Sequence, residues 1–299
     1  MRQAIKSTKI RKSTGDIVFD IFLYFFFIFL SFSIIYPFYM LLVQSLDTKA
    51  ALMGRLQFVP REFTIDNYLR VFRNKSIISG FGVSIYATVC GTLAALLVTS
   101  LGAYAISKKE LPFRKQILTF LIIPMFVGGG LIPTYLLYRD LGLIDNLLMP
   151  VVTGLASTYN IMVIRNFFDG LPYELEESAK LDGANSFLIW WRIYMPLSLP
   201  VLVTVALWIG VGEWNSWFNY MIYMRDPNKY NLQVVMRRIV LIGTNEEMGL
   251  GSAADETVHI PTENLKAATI LVCTVPILCV YPFLQKYFMK GALVGSVKG

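Results

Sequence analysis

The 299-residue chain is 55% hydrophobic and 14% aromatic, with 16% charged residues and a formal net charge of +7. That balance is too apolar for a water-soluble domain, and the charges cluster and leave long uncharged gaps. It excludes a soluble enzyme, and the basic excess reads as membrane topology rather than nucleic-acid binding.

The first such gap runs from Ile21 to Gln44 (IFLYFFFIFLSFSIIYPFYMLLVQ) behind a basic start, MRQAIKSTKIRK. About 20 apolar helical residues cross a bilayer core, so this run is long enough to span. It is too long for a signal peptide, and Pro37-Phe38-Tyr39-Met40 is no small-residue cleavage site. Residues 1–16 therefore form an N-terminal segment, and 17–290 a membrane domain. Five further runs follow, at 78–106, 117–138, 147–164, 197–224 and 267–284, for six predicted transmembrane helices in an all-α membrane protein. The second carries Gly80, Gly82, Gly91 and Gly102 with Ala87, Ala94, Ala95, Ala103 and Ala105. Small residues let helix backbones approach in lipid, which places this helix at the centre of a bundle. Gly128–Gly130 with Pro133 reads as a packing kink in preference to a hinge or a broken helix. Cys90, Cys273 and Cys279 fall inside spans without metal or disulfide spacing and read as small packing residues.

Orientation follows from lysine and arginine in short loops. Arg2, Lys6, Lys9, Arg11 and Lys12 precede the first span, Lys108, Lys109, Arg114 and Lys115 follow the second, and Lys286, Lys290 and Lys298 follow the sixth. Six spans bring all of these to one side, the cytoplasm, with both termini. Segments 45–77 and 226–266 and the Arg139–Asn146 turn lie outside.

Between spans four and five, on the cytoplasmic side, residues 169–200 read DGLPYELEESAKLDGANSFLIWWRIYMPLSLP. Pro172 suits a helix start, and Glu174, Glu176 and Glu177 complement the positive end of the helix dipole. Leu175, Ala179 and Leu181 supply a small apolar face, and Gly183 is placed for a left-handed C′ residue. Asn185 or Ser186 then caps a second short helix running to Tyr194, which Pro196 stops. As an interfacial elbow this acidic first turn would be poorly placed against anionic lipid; it suits a groove on another protein.

Glu177-Ser178-Ala179, three residues, Gly183, nine residues and Ile193-x-Met195-Pro196 resemble the EAA loop of ATP-binding-cassette importer permeases. Ser178 for alanine and Met195 for leucine are its departures. Leu181-Asp182-Gly183-Ala184 and the ending GALVGSVKG (291–299) look like the carbohydrate-uptake branch, similar to the smaller permease subunit of maltose-type importers and closest to the lipoprotein-dependent oligosaccharide subgroup. The resemblance implies a type I ABC importer permease fold in which segment 169–196 holds a cytoplasmic coupling helix. Glu174, Glu177, Ser178, Ala179, Asp182, Gly183 and Ala184 would then contact an ATPase, and the tail Gly295, Ser296, Val297, Lys298 and Gly299 would approach the paired ATPases. It also implies the partners: a homologous second permease subunit in a heterodimer, two ATPase subunits carrying ATP and Mg, an extracytoplasmic solute-binding lipoprotein and a carbohydrate ligand, in the lipid of a bacterial cytoplasmic membrane. No nucleic acid, metal or cofactor is expected on this chain, which has no G-x-x-x-x-G-K-[ST] phosphate loop.

Within the fifth run, Glu213 is either a translocation-path group or an acid solvated near the outer headgroups. Helical periodicity puts Glu213, Trp217 and Tyr220 on one face and Asn215 and Asn219 on a neighbouring one, which suits sugar stacking or an aromatic belt. Asn160, with Tyr159, is a weaker path candidate that also reads as an interhelical contact. His259, the sole histidine, lies in the outer loop 226–266, which resembles the loop that reaches the binding protein in maltose-type importers. The expected function is therefore the permease subunit of an ATP-driven importer for oligosaccharides, among them acidic pectin- or alginate-derived ones. The alternatives are an ABC permease for amino acids or peptides, and a proton-coupled carrier. No H-E-x-x-H or G-x-S-x-G motif supports an enzyme.

Overall fold

A computed structural model describes residues 13–48, 58–242 and 262–296. The regular structure of the described residues is helical, apart from one isolated bridge between Asp47 and Phe63. The chain divides into two compact units, Met1–Tyr68 with Val258–Leu271 and Leu69–Thr257 with Val272–Gly299.

In the first unit, α1 (Thr14–Ser45) starts at a capping box in which the Asp16 side chain accepts from the Ser13 backbone N–H at 2.9 Å. Its phenylalanines are exposed, as a lipid-facing helix requires. Its far end is tied by amides. Asn67 of α2 (Asp66–Arg73), fully buried, donates to the carbonyls of Ser45 (2.8 Å) and Asp47 (3.1 Å), and buried Asn264 donates to the same Asp47 carbonyl at 2.6 Å. These carbonyls lie at and just past the helix end, where backbone acceptors lack intrahelical donors.

The second unit is built on α3 (Lys75–Ser107), which Asn74 caps by accepting from the N–H groups of Ser76 and Ile77. Its buried face is a ladder of small residues: Gly80, Ser84, Ala87, Gly91, Ala95, Thr99 and Ala103. Steps of three and four keep them on one side. Against α3 pack α6 (Leu148–Thr153), α7 (Thr158–Phe168), α11 (Leu199–Asn215) and α13 (Leu232–Ile242). The expected central helix is therefore central. At Gly80 the approach is closest: an added Cβ would lie 3.2 Å from the Leu232 Cα.

Several predicted spans are broken. The third becomes α4 (Arg114–Phe126) and α5 (Leu131–Asp140), bent by 116° across 127–130. Gly130 takes φ +82°, and Pro133 sits in the first turn of α5, where its missing N–H is harmless. The packing kink is thus a break. The fourth run is divided into α6 and α7, with Ser157 capping α7 through the Asn160 N–H. Pro196 does not stop the second loop helix. From α9 (Ser186–Ile189) the chain passes through a π-helical turn (Trp190–Tyr194) and α10 (Met195–Leu197), then bends by 84° into α11. Both Pro196 and Pro200 occupy first-turn positions, so the bend falls at Ser198 between them. The fifth run ends at Asn215, and α12 (Phe218–Tyr223) follows a break. The last helix, α14 (Thr262–Ser296), is longer than its predicted run. Among the described residues three helices are long and apolar enough to cross a membrane, or five if each bent pair is one span. Cys273 is buried as expected, but Cys90 and Cys279 are exposed, so the packing expectation fails for those two.

Gly80 and Gly82 give a matched test. No atom lies within 4 Å of a Cβ at Gly82, whereas one at Gly80 meets α13 backbone. Gly80→Leu is expected to destabilise by about 1–3 kcal/mol through overpacking, and Gly82→Leu to have little effect. Thermal midpoints of the detergent-purified permease measure this; equal midpoints would contradict the packing described.

Candidate functional site

The segment 169–197 forms a compact knob. Helix α8 (Glu174–Leu181) ends in a Schellman closure: the Gly183 N–H donates to the Lys180 carbonyl at 3.0 Å and the Ala184 N–H to the Ala179 carbonyl at 2.9 Å. Gly183 takes φ +81°, the left-handed position expected of it. Ala179 and Ala184, the two residues closing the motif, pack on the core made by Ala103, Tyr104, Ile164, Phe168, Trp190 and Tyr194. Asn185 caps the next helix, its Oδ1 accepting from the Leu188 N–H at 2.8 Å.

Of the small apolar face of α8, Ala179 is half-buried, whereas Leu175 and Leu181 are exposed, Leu181 at 85%. Glu174, Glu177, Ser178, Asp182 and Gly183 are exposed as well. The residue turned inward is Glu176, at 2%. It occupies the i−3 position relative to Ala179, so the Ala179 contact carries it toward the core.

The Glu176 carboxylate is ion-paired with Lys108, at the C-cap of α3. It accepts from the Tyr194 hydroxyl at 2.8 Å and pairs with Lys180 at 3.0 Å. The Lys108 ammonium also donates to the Tyr194 hydroxyl at 3.1 Å and lies 3.9 Å over the Tyr104 ring and 4.3 Å over the Tyr194 ring. One cluster thus joins α8, the end of α3 and the π-helical turn. A cleft of about 410 Å³ adjoins it, lined by Lys108, Glu110, Asp169, Tyr173 and Glu176 among others. Burial opposes ionisation of Glu176, but hydrogen bonds from Lys108, Tyr194 and Lys180 outweigh it and hold the carboxyl below its usual range. Burial also lowers Lys108, against the pull of Glu176. Sequence reasoning assigned Glu176 to the helix dipole and Lys108 to topology. The available signal was the spacing of Glu176 with Ala179 and Lys180, which puts an acid on the inner side of a short helix.

The fifth-run candidates are not one face. At the end of α11 the Ser216 N–H reaches back to the Glu213 carbonyl and Asn215 Nδ2 donates to the Val211 carbonyl at 2.9 Å. These local bonds compete with helix continuation and end it before Trp217. Glu213 is half-buried. An added Cβ at Gly154 would lie 3.1 Å from its Oε1, and one at Gly91 would lie 3.7 Å from its Cγ. Thr88 and Thr92 of α3, together with Trp214 and Tyr220, hold buried polar atoms that have no hydrogen-bond partner among the described residues. Tyr220 is fully buried and Asn160 nearly so, whereas Asn215 and Asn219 are exposed. Trp217 lies under the Arg237 guanidinium, 4.0 Å from its ring centre. Val297–Gly299 and His259 lie outside the described residues; of Gly295 and Ser296 only the helical backbone is described.

The ion pair makes an ordered prediction. Lys108→Met leaves a buried carboxylate with only half-exposed Lys180, and losing one partner of a buried pair costs about 3–5 kcal/mol. Glu176→Gln should cost less, because the amide still bonds Tyr194, and the double variant should be milder than Lys108→Met alone. A carboxyl depressed by folding contributes fully above its unfolded pKa, and that contribution is lost as pH falls through the lower folded value. The wild-type unfolding midpoint should therefore drop only below the ordinary carboxylate range, and the Glu176→Gln curve should be flatter there.

No family model matches the chain. Protein LplC of Bacillus subtilis is 41% identical over 266 residues, covering 89% of this chain and 90% of that one. The polygalacturonan/rhamnogalacturonan transport system permease protein YtcP of Bacillus subtilis is 35% identical over 288 residues, covering 94% and 99%. Among solved structures, a chain of a bacterial ABC transporter involved in the import of the acidic polysaccharide alginate superposes with a TM-score of 0.86 at 30% identity, covering 93% of this chain and 99% of its own. With matches of this identity and extent, an all-helical membrane fold and the EAA-type loop at 177–196, the chain belongs to the sugar-transport permeases of ATP-binding-cassette importers.

Proposed function

We propose that this permease crosses the bacterial cytoplasmic membrane six times with both termini inside, and that α8 is the knob through which partner ATPases drive it. The observation that carries this reading is the division of labour on α8. Its inner side is fixed to α3 through Glu176 and Lys108. Its outer side offers Leu175, Glu177, Leu181 and Asp182 to solvent. An 85% exposed leucine between acidic groups suits a partner groove. Glu174, Ser178, Ala179, Gly183 and Ala184 complete the coupling loop within 169–196.

The assembly pairs this chain with a homologous but distinct permease, two ATPase subunits that bind ATP and Mg, and an extracytoplasmic solute-binding lipoprotein. A chain of a bacterial alginate ABC transporter, solved in complex with an alginate pentasaccharide-bound periplasmic protein, shares the fold at a TM-score of 0.60 and 16% identity. The tail 291–299, with Gly295–Gly299, approaches the ATPases, segment 45–77 lies outside, and outer loop 226–266 faces the binding protein. When the ATPases close, α8 moves with them. The Glu176–Lys108 pair carries that movement to α3 and Tyr194 carries it to α9 and α11, switching the spans between inward- and outward-facing states.

The proposed cargo is an oligosaccharide carrying uronic acids. YtcP is named for polygalacturonan and rhamnogalacturonan, and the alginate transporter for an acidic polysaccharide. Glu213, Asn160, Trp217, Tyr220, Asn215 and Asn219 remain the candidate path residues; the unpartnered Thr88 and Thr92 hydroxyls near Gly210 support a polar path beside α3.

Glu177→Lys is expected to abolish co-purification of the ATPases while the permease still inserts in the membrane. Gly183→Val should impair ATP-driven uptake, because a β-branched residue resists φ +81°. Normal co-purification in the first variant, or normal uptake in the second, would count against α8 as the docking element.

A further inference from the structure

At the opposite end of α3 from Lys108, α13 is held by buried polar contacts. Asn231, fully buried, accepts from the Val234 N–H at 3.1 Å and donates its amide to the Ser216 carbonyl. The Leu232 N–H donates to the Ser84 hydroxyl at 2.9 Å, and Gly80 leaves room for the α13 backbone. One side of α13 is thus buried through Leu232, Val234, Val235 and Ile239. The stretch leading into it is clasped too. The Asp145 carboxylate accepts from the N–H groups of Arg225 and Asp226, both at 3.1 Å, and from the Lys229 ammonium at 2.9 Å.

On this fixed frame sit two consecutive arginines, each on an aromatic ring. The Arg237 guanidinium lies 4.0 Å over Trp217, beside the break that Asn231 ties down. The Arg238 guanidinium lies 4.4 Å over Tyr230 and donates to its hydroxyl at 3.1 Å. Neither has a carboxylate within ion-pair distance among the described residues. Stacking occupies the face of a guanidinium and leaves the in-plane N–H fork for a carboxylate. A neighbouring aromatic ring also offers an apolar surface to a pyranose.

We propose that Arg237 and Arg238, set on Trp217 and Tyr230, form a carboxylate-reading site for uronic-acid residues of the incoming oligosaccharide. This rests on the reading of the chain as an acidic-oligosaccharide permease, whose outer side holds segment 226–266. The tryptophan that the sequence offered as a sugar platform thereby acquires a charged partner. The site discriminates the acid from its neutral form, because an ester offers the guanidiniums no counter-charge.

The test uses the complete transporter in phosphatidylcholine proteoliposomes with internal ATP and its binding protein outside. Uptake of trigalacturonate and of its methyl ester is measured for wild type, Arg237→Gln and Arg238→Gln. Because each variant is compared with wild type, the binding protein's own preference cancels. Each variant is expected to lower acid uptake about tenfold relative to ester uptake, as for loss of a hydrogen bond to a charged group, and Arg237→Lys to recover part of it. Equal loss for acid and ester, or no loss for either, overturns the site as structural or irrelevant. A defect that appears only when phosphatidylglycerol is added assigns the arginines to lipid phosphate and also overturns it. If wild type imports neither compound in any vesicle but imports a neutral oligosaccharide, the acidic-substrate reading itself fails, and the site with it.

Discussion

Close approach of backbones along one face of α3 is the constraint on which the second unit depends. Within a lipid phase no hydrophobic force draws helices together, so contact rests on packing at short range. Glycine, alanine, serine and threonine at intervals of three and four let α6, α7, α11 and α13 reach that face. Larger residues there would separate the helices and leave the buried threonine and tyrosine groups without neighbours. The smallness of this face is therefore a requirement of the architecture and not merely a tolerance.

Both ends of the same helix carry charge that is fixed with care. At one end a lysine and a glutamate are withdrawn from water and supported by a tyrosine hydroxyl and two rings. Such pairs add little net stability over apolar packing, since desolvation cancels much of the attraction. Their worth lies in direction: the carboxylate has one place to go, so α8 has one orientation. At the other end, arginines rest on aromatic rings and leave donors uncommitted. The first arrangement consumes its charges internally and suits force transmission. The second holds them available and suits a ligand.

Much of this was legible in the sequence. The first, second and sixth apolar runs gave long helices, the small residues of 80–103 gave the central one, and the local pattern of 172–186 gave the short helix closed by a left-handed Gly183. What escaped were decisions made by tertiary partners. Glu176 and Glu177 are adjacent acids with the same local propensity, and only the packing of Ala179 and Ala184 turns one inward and leaves the other out. The helix break at Ser216 depended on Asn215 folding back onto Val211 and on Asn231 arriving from the next element. No periodicity could announce it, so a face drawn across residues 213–220 failed. Pro196 was misread for a related reason: within the first turn of a new helical segment its missing donor costs nothing. Arg237 and Arg238 fall in the outer segment 226–266, and α13, which lifts them onto Trp217 and Tyr230, is too short to declare itself there.

The π-helical turn at Trp190–Tyr194 has a consequence for which changes this chain can absorb. A π turn holds one more residue than an ordinary helical turn and so takes up an extra residue while nearly keeping the angular phase of what lies beyond it. Adding or removing a residue in the regular winding of α9, where nothing absorbs the change, would swing the following side chains by about 100° around the axis. Tyr194 would then point away from its acid. Along this stretch the wide turn is therefore the place where a change of length does least harm, and the narrow turns before it are where the count of residues is fixed.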